Sequence, residues 1–180
     1  MIFDTKIDEV KIIEPRVFCD ARGSFNEVFS TRELAKNGID FSPVQENCAY
    51  SVKKGTVRGV HFQNAPYAQA KLVRCTKGRV MDYALDLRKA SPTYLQHVAV
   101  ELTAENKKQL FIPKGFAHAV ISLEDDTEIE YLVDALYEPT ADRSISPCDP
   151  ALGIEWGIKE LVLSDKDKNA PFLNESDCNF

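Results

Sequence analysis

Short alternating segments cut by turn chemistry constrain this chain more than any other feature of its sequence. Across residues 80–87, Met81, Tyr83, Leu85 and Leu87 fall on one side of an extended backbone, and Asp82, Ala84 and Asp86 on the other. That period of two describes a half-buried strand. Val98, Val100 and Leu102 alternate in the same way, as do Ile129, Tyr131 and Val133. Thr76-Lys77-Gly78, Ala90-Ser91-Pro92 and Ile112-Pro113-Lys114-Gly115 punctuate the runs with residues that favour turns. Many short strands at this spacing predict a mainly β chain, a jelly-roll β-sandwich or barrel with a few short helices. Ser30 with Glu33 forms a capping-box pattern and Gly38 offers a stop, so a short helix is expected over 31–37. A second helical turn is expected near 158–161. With no repeat, low-complexity tract or linker, residues 1–180 read as one domain, with a polar tail, loosely ordered, from about residue 168.

Bulk properties narrow the function classes. The 180 residues are enough to bury a core of their own. With 22 basic against 28 acidic residues the net charge is -6, and no basic stripe exists to displace counterions from a phosphate backbone. Nucleic acid is therefore not an expected partner. No basic start with an apolar core marks a secretory signal, and no apolar run approaches the roughly 20 residues of a spanning helix. A cytoplasmic protein without membrane contact is the expectation. Cys19, Cys48, Cys75, Cys148 and Cys178 are odd in number, scattered, and form no C-x-x-C pair, which reads as free thiols in a reducing compartment.

Four segments carry chemistry. Gly55-Thr56-Val57-Arg58-Gly59-Val60-His61-Phe62-Gln63, with Lys71 following, concentrates an arginine, a histidine and a lysine around one strand. Strict alternation would separate Arg58 from His61, and Gly59 between them could host a bulge that re-aims one side chain. Histidine serves as a base near neutral pH, while Arg58 and Lys71 suit phosphate or developing negative charge. By itself the stretch reads first as a surface strand with solvated cations. His118 follows the Pro113-Lys114-Gly115 turn within apolar residues, where a hydrogen-bonded core histidine is the simpler reading; His97 is unremarkable. Tyr131 shares a face with Ile129 and Val133, so its ring points inward, and a buried phenol needs a partner or a job. Leu163-Ser164-Asp165-Lys166-Asp167 reads as a solvated tail or as the source of a carboxylate that orients a histidine. A metal is not expected: His61 is followed by Phe62 and Gln63, so no H-x-H exists, and of the three histidines His97 is badly placed.

Taken in order, these segments resemble the dTDP-4-dehydrorhamnose 3,5-epimerase family of cupin-type jelly rolls over 18–167. The marks are Phe18-Cys19-Asp20-Ala21-Arg22-Gly23-Ser24-Phe25-Asn26-Glu27, Gln45-Glu46-Asn47, Arg58-Gly59-Val60-His61-Phe62-Gln63 and Lys71-Leu72-Val73-Arg74. They continue through Ser91-Pro92-Thr93-Tyr94, Pro113-Lys114-Gly115-Phe116-Ala117-His118, Asp142-Arg143-Ser144-Ile145, Gly153-Ile154-Glu155-Trp156 and Leu163-Ser164-Asp165-Lys166-Asp167. The resemblance implies His61 as general base paired with Asp167, Tyr131 as the acid on the opposite face of the sugar, and Lys71 at the enolate oxygen. It places Arg22, Glu27, Gln45, Asn47, Arg58, His118, Asp142 and Lys166 in contact with a nucleotide sugar, and Tyr137 against the thymine. It also implies a homodimer whose sites are completed by the neighbouring chain.

The chemistry is coherent with that assignment. A C4 ketone acidifies the protons at C3 and C5, so inversion needs a base on one face and a donor on the other. Moving a proton changes no oxidation state, so no cofactor is expected, in keeping with the missing G-x-G-x-x-G loop. The chain departs from the family pattern at Cys48, Ala49, Ser144 and Gly157, positions that shape loops rather than the acid, base or lysine. The competing readings are a mono-epimerase acting at C3 or C5 of this or another 4-keto sugar, and a non-catalytic sugar-binding cupin.

Overall fold

The alternation becomes thirteen strands in the computed structural model, which describes residues 1–180. In chain order these begin with β1 (Ile2–Asp4), β2 (Lys11–Ile13), β3 (Val17–Asp20) and β4 (Gly23–Asn26), followed by helix α1 (Thr31–Lys36). The central strands are β5 (Gln45–Ser51), β6 (Val57–Gln63), β7 (Lys71–Lys77), β8 (Arg79–Asp86) and β9 (His97–Thr103). Then come β10 (Gln109–Ile112), β11 (Phe116–Ser122), β12 (Thr127–Val133), β13 (Asp142–Ser144) and a one-turn helix, α2 (Asp165–Lys168).

Eleven strands form two antiparallel sheets, one ordered β1-β2-β10-β7-β12-β5 and the other β13-β6-β11-β8-β9. From β5 onward the chain crosses between the sheets at nearly every step, so most strands pair with partners distant in sequence. This is the winding of a jelly roll, and the cupin-type architecture expected from the sequence is the one observed. Strands β3 and β4 pair only with each other.

Three apolar layers hold the sandwich. Val73, Cys75 and Ile129 of one sheet meet Val80, Ala84, Val98, Phe116 and Val120 of the other between the sheets. On the outer face of the five-stranded sheet, Tyr83, Leu85, Ala119 and Ile121 pack beneath Ile145, Leu152, Trp156, Leu173 and Phe180. Helix α1 lays Leu34 on the other sheet with Phe41, Leu72 and Phe111. Burying each such large side chain is worth roughly 1.5–3 kcal/mol, so the outer cover matters as much as the centre.

That cover corrects three expectations. Strand β8 is buried on both faces rather than half-buried: its Asp82 and Ala84 face looks onto the other sheet, the segment after Ile145 covers its Tyr83 and Leu85 face, and Asp82 and Asp86 are fully enclosed. The tail is packed rather than loose: Cys178 is buried, Phe180 lies 5.9 Å from the Phe62 ring, and Asn179 exchanges hydrogen bonds with Asn64 and Ala65. The second helical turn lies at α2 and not at 158–161, because Ser164 supplies an N-cap whose side chain accepts from the Asp167 amide. Helix α1 matches its expected span to a residue, capped by Ser30 accepting from the Glu33 amide.

Candidate active site

The site opens between the sheets, where β6 and β11 face β7 and β12. Its geometry starts with a bulge. His118 pairs with His61 and Val120 with Arg58, so two steps along β11 match three along β6. The extra residue puts Arg58 and His61, three apart in sequence, on the wall of the same cavity. Gly59 makes this possible: its φ is +145, and a Cβ there would lie 2.6 Å from Ala119 Cα and 2.9 Å from His118 O.

The resulting cavity, of about 400 Å³, is lined by Arg58, His61, Lys71, His118, Tyr131 and Asp167 among others. Ligand sites of small molecules typically occupy roughly 300–1,000 Å³. Helix α2 closes one side and delivers Asp167, whose Oδ1 lies 2.6 Å from His61 Nε2. Ser164 fixes that carboxylate by donating to its Oδ2 over 2.8 Å. Burial pushes the Asp167 carboxyl up, but the bonds from His61 and Ser164 outweigh it and hold it below its usual range.

On the opposite wall, Lys71 Nζ sits 5.8 Å from the Tyr131 ring centroid. Burial lowers the Lys71 ammonium to about 8, against the upward pull of Asp82 and Asp142. Burial also raises the Tyr131 phenol, opposed by Arg58, so it stays protonated at neutral pH. The Tyr131 ring meets His118 edge-on, with centroids 6.2 Å apart. His118 Nε2 in turn bonds Asp82 Oδ1 at 2.5 Å, and burial depresses the imidazole. The core histidine and the cavity-lining histidine are thus one residue.

Polar residues continue outward in a chain. Lys166 Nζ reaches Asp142 Oδ2 at 2.6 Å, the Tyr137 hydroxyl donates to the same oxygen, the Tyr137 amide donates to Gln45, and Gln45 donates to Asn47. Arg22 and Glu27 do not join them. Arg22 is held by Asp20 on the β3–β4 turn with its side chain 89% exposed, and Glu27 lines a separate hollow with Arg16 and Phe18. The hairpin bonds to neither main sheet, so nothing in the chain itself brings these two residues to the cavity.

Two residues escaped the sequence reading as parts of the site. Ser164 carried a signal, since a serine three before an aspartate is an N-cap pattern that aims the carboxylate. Asp82 carried a weaker one, a lone acid between Val80 and Ala84 on one face of a strand.

The jelly roll thus sets a carboxylate-bonded histidine on one wall of its cavity and a half-buried tyrosine on the other, groups able to accept and to donate a proton. The family model for dTDP-4-dehydrorhamnose 3,5-epimerase matches residues 4–175. The chain belongs to this family. It is 49% identical over 175 residues to the dTDP-4-dehydrorhamnose 3,5-epimerase of Sinorhizobium fredii, covering 97% of this chain and 90% of the relative. The dTDP-4-dehydrorhamnose 3,5-epimerase of Bacillus anthracis, solved with TDP and PPi bound, superposes with a TM-score of 0.94 at 40% identity, covering 96% of this chain and 99% of that one. The dTDP-6-deoxy-D-glucose-3,5-epimerase of Legionella pneumophila, solved with dTDP-4-keto-L-rhamnose, gives a TM-score of 0.93 at 42% identity, covering 98% and 94%.

Proposed function

We propose that this chain epimerises C3 and C5 of dTDP-4-dehydro-6-deoxy-D-glucose to give dTDP-4-dehydro-L-rhamnose. The observation that carries this reading is the pairing of a His61–Asp167 base with a Tyr131 donor on facing walls of one cavity, with Lys71 beside the tyrosine. Asp167 accepts from His61 Nε2–H, which leaves Nδ1 as the basic atom. Nδ1 takes the proton from C3 or C5, and the C–H electron pair moves into an enolate whose charge gathers on the C4 oxygen. The Lys71 ammonium stabilises that charge, and such preorganised donors are typically worth about 10²–10³ in rate. Tyr131 then returns a proton to the other face. Acid–base action of this kind contributes about 10²–10⁴-fold. Both groups reset by exchange with solvent, and the second carbon follows.

The rim suits the rest of the substrate. Arg58 and Lys166 offer cations to a diphosphate, and Gln45, Asn47, His118 and Asp142 offer hydrogen-bonding groups. Tyr137, 55% exposed, presents a flat ring for a thymine. The reaction runs without metal in this reading: the cavity presents an arginine, a lysine and two imidazoles already tied to carboxylates, a donor set that repels a cation. The dimer is part of the proposal as well, because the β3–β4 hairpin exposes Phe18, Phe25 and Val17 beside Arg22. In the dimer the hairpin carries Arg22 and Glu27 into a partner's cavity. Five thiols without a disulfide fit a reducing cytoplasm, and no helix is long and apolar enough to cross a membrane.

Proton NMR of dTDP-4-keto-6-deoxyglucose with the protein in D₂O tests the reading. Deuterium at both C3 and C5, with the inverted product trapped by a reductase, is expected. Deuterium at one carbon would make the chain a mono-epimerase, and none at either would end the epimerase reading.

A further inference from the structure

Asp82 is the least economical residue in the sandwich. It lies on β8 opposite Val100 of β9 and Val120 of β11, with no exposed surface, on the inward face that also carries Val80 and Ala84. Its Oδ1 bonds His118 Nε2, but its Oδ2 is buried without any hydrogen-bond partner. A carboxylate with one satisfied oxygen among valines costs stability that an apolar residue of similar size would not. His118, its only partner, lines the cavity. Lys71, which donates no hydrogen bond to a protein group, feels Asp82 as the first of its attractive charges.

Resting on the epimerase reading, we infer that Asp82 is a positioning residue for the oxyanion side of the site. Its Oδ1 holds His118 as the neutral tautomer protonated at Nε2, and its unpartnered oxygen leaves a negative charge one residue behind the cavity wall, opposite the positive groups that include Lys71. The hydrogen-bond bookkeeping follows from the geometry. A carboxylate accepts, so Nε2 must donate, and burial disfavours a second proton on the ring. Nδ1 is then an acceptor, fit for a sugar hydroxyl rather than for a ketone or phosphate. The same carboxylate offsets the positive charge that Lys71, Arg58 and Lys166 bring together. The ionisable groups around Lys71 are Asp82 on β8, Asp142 on β13, His118 on β11, His61 and Arg58 on β6, Tyr131 on β12, and Lys166 and Asp167 on α2. Asp82 and Asp142 pull it toward the charged form; Asp142 is already bonded to Lys166 and Tyr137, and Asp167 is taken up by His61 and Ser164.

The test is Asp82→Asn, whose amide oxygen still accepts from His118 while the charge is gone. Expected are unchanged dTDP binding, slower deuterium exchange at C3 by roughly tenfold to a hundredfold, and a rate–pH profile whose alkaline limb moves to lower pH. That loss is smaller than the typical 10²–10³ for an oxyanion donor itself. A wild-type rate with an unmoved limb overturns the inference. So does a slower enzyme whose limb stays in place while dTDP binding weakens in parallel, the signature of a carboxylate that only braces β8 against β11. Should Asp82→Asn not fold, imidazole ¹⁵N shifts of the unaltered protein decide: His118 neutral and protonated at Nε2 from pH 6 to 9 upholds the assignment, and an imidazolium or the Nδ1–H tautomer overturns it. A wild-type protein that exchanges neither carbon would sink the epimerase reading alone, and the His118 shifts would still answer for Asp82.

Discussion

His61 and His118 face one another across the β6–β11 ladder, each bonded to a carboxylate, yet their surroundings divide their chemistry. The His118 side chain is 8% exposed and burial keeps it neutral; that of His61 is 29% exposed, so a captured proton can return to water. Two facing imidazolium rings would repel, and holding one neutral leaves the other free to accept a proton. Lys71 makes the sharpest prediction at this scale. Burial lowers its ammonium from 10.5 to about 8, and only the charged form can stabilise an enolate. A lowered lysine loses its proton sooner as pH rises, so exchange at saturating sugar should decline through pH 8. A profile flat to pH 10 would remove Lys71 from the role. Tyr131→Phe separates the two half-reactions. Deuterium should still wash into the starting sugar, while inverted product falls by about 10²–10⁴-fold. If product formation keeps its rate, Tyr131 only fills space.

Strand β6 shows what an element contributes beyond its side chains. Its extra residue at Gly59 turns Arg58 and His61 toward one cavity, and Gly59→Ala should undo that arrangement. The new methyl meets the Ala119 backbone at a φ of +145, a clash costing about 1–3 kcal/mol before backbone strain. For a chain of this size the melting temperature should drop by roughly 2–12 °C. Exchange activity should drop further than stability explains; a thermal melt and activity both at wild-type values would mean that the bulge is incidental. The bulge was legible because glycine interrupts an alternation that would otherwise split Arg58 from His61. Strand β8 was only half legible. The period of two separates its faces correctly, but what covers each face lies far off: Trp156, Leu173 and Phe180 on one side, the facing sheet on the other. Its two buried acids make the same contrast. Asp86 is satisfied by Arg88, Ser91 and Thr93, neighbours that the local sequence displays. Asp82 has a single partner, His118, 36 positions away, which no local pattern announces, and its second oxygen has none. The second helical turn was misplaced as well: it forms where Ser164 caps Asp165–Lys168, a few residues past the expected 158–161.

For the whole molecule the open question is whether one chain makes one site. His61, Lys71, Tyr131 and Asp167 meet within the chain, whereas Arg22 and Glu27 ride on a hairpin that projects from the sandwich with Phe25 70% exposed. An aromatic surface of that kind marks an interaction site, and in the proposed twofold dimer each hairpin would serve its partner's cavity. Complementation separates this arrangement from one in which each chain is self-sufficient. His61→Ala removes the base from one cavity but leaves its hairpin intact; Arg22→Ala does the reverse. Each variant alone should be nearly inactive. In a mixed dimer one cavity carries both defects, and the other pairs an intact His61 with an intact Arg22 from the neighbouring chain. Random reassociation makes half the dimers mixed, with one working cavity in two, so activity should recover to roughly a quarter of wild type. If both defects stay within their own chains, the mixture should remain as inactive as its parts, and the hairpin would then be assigned to its own chain.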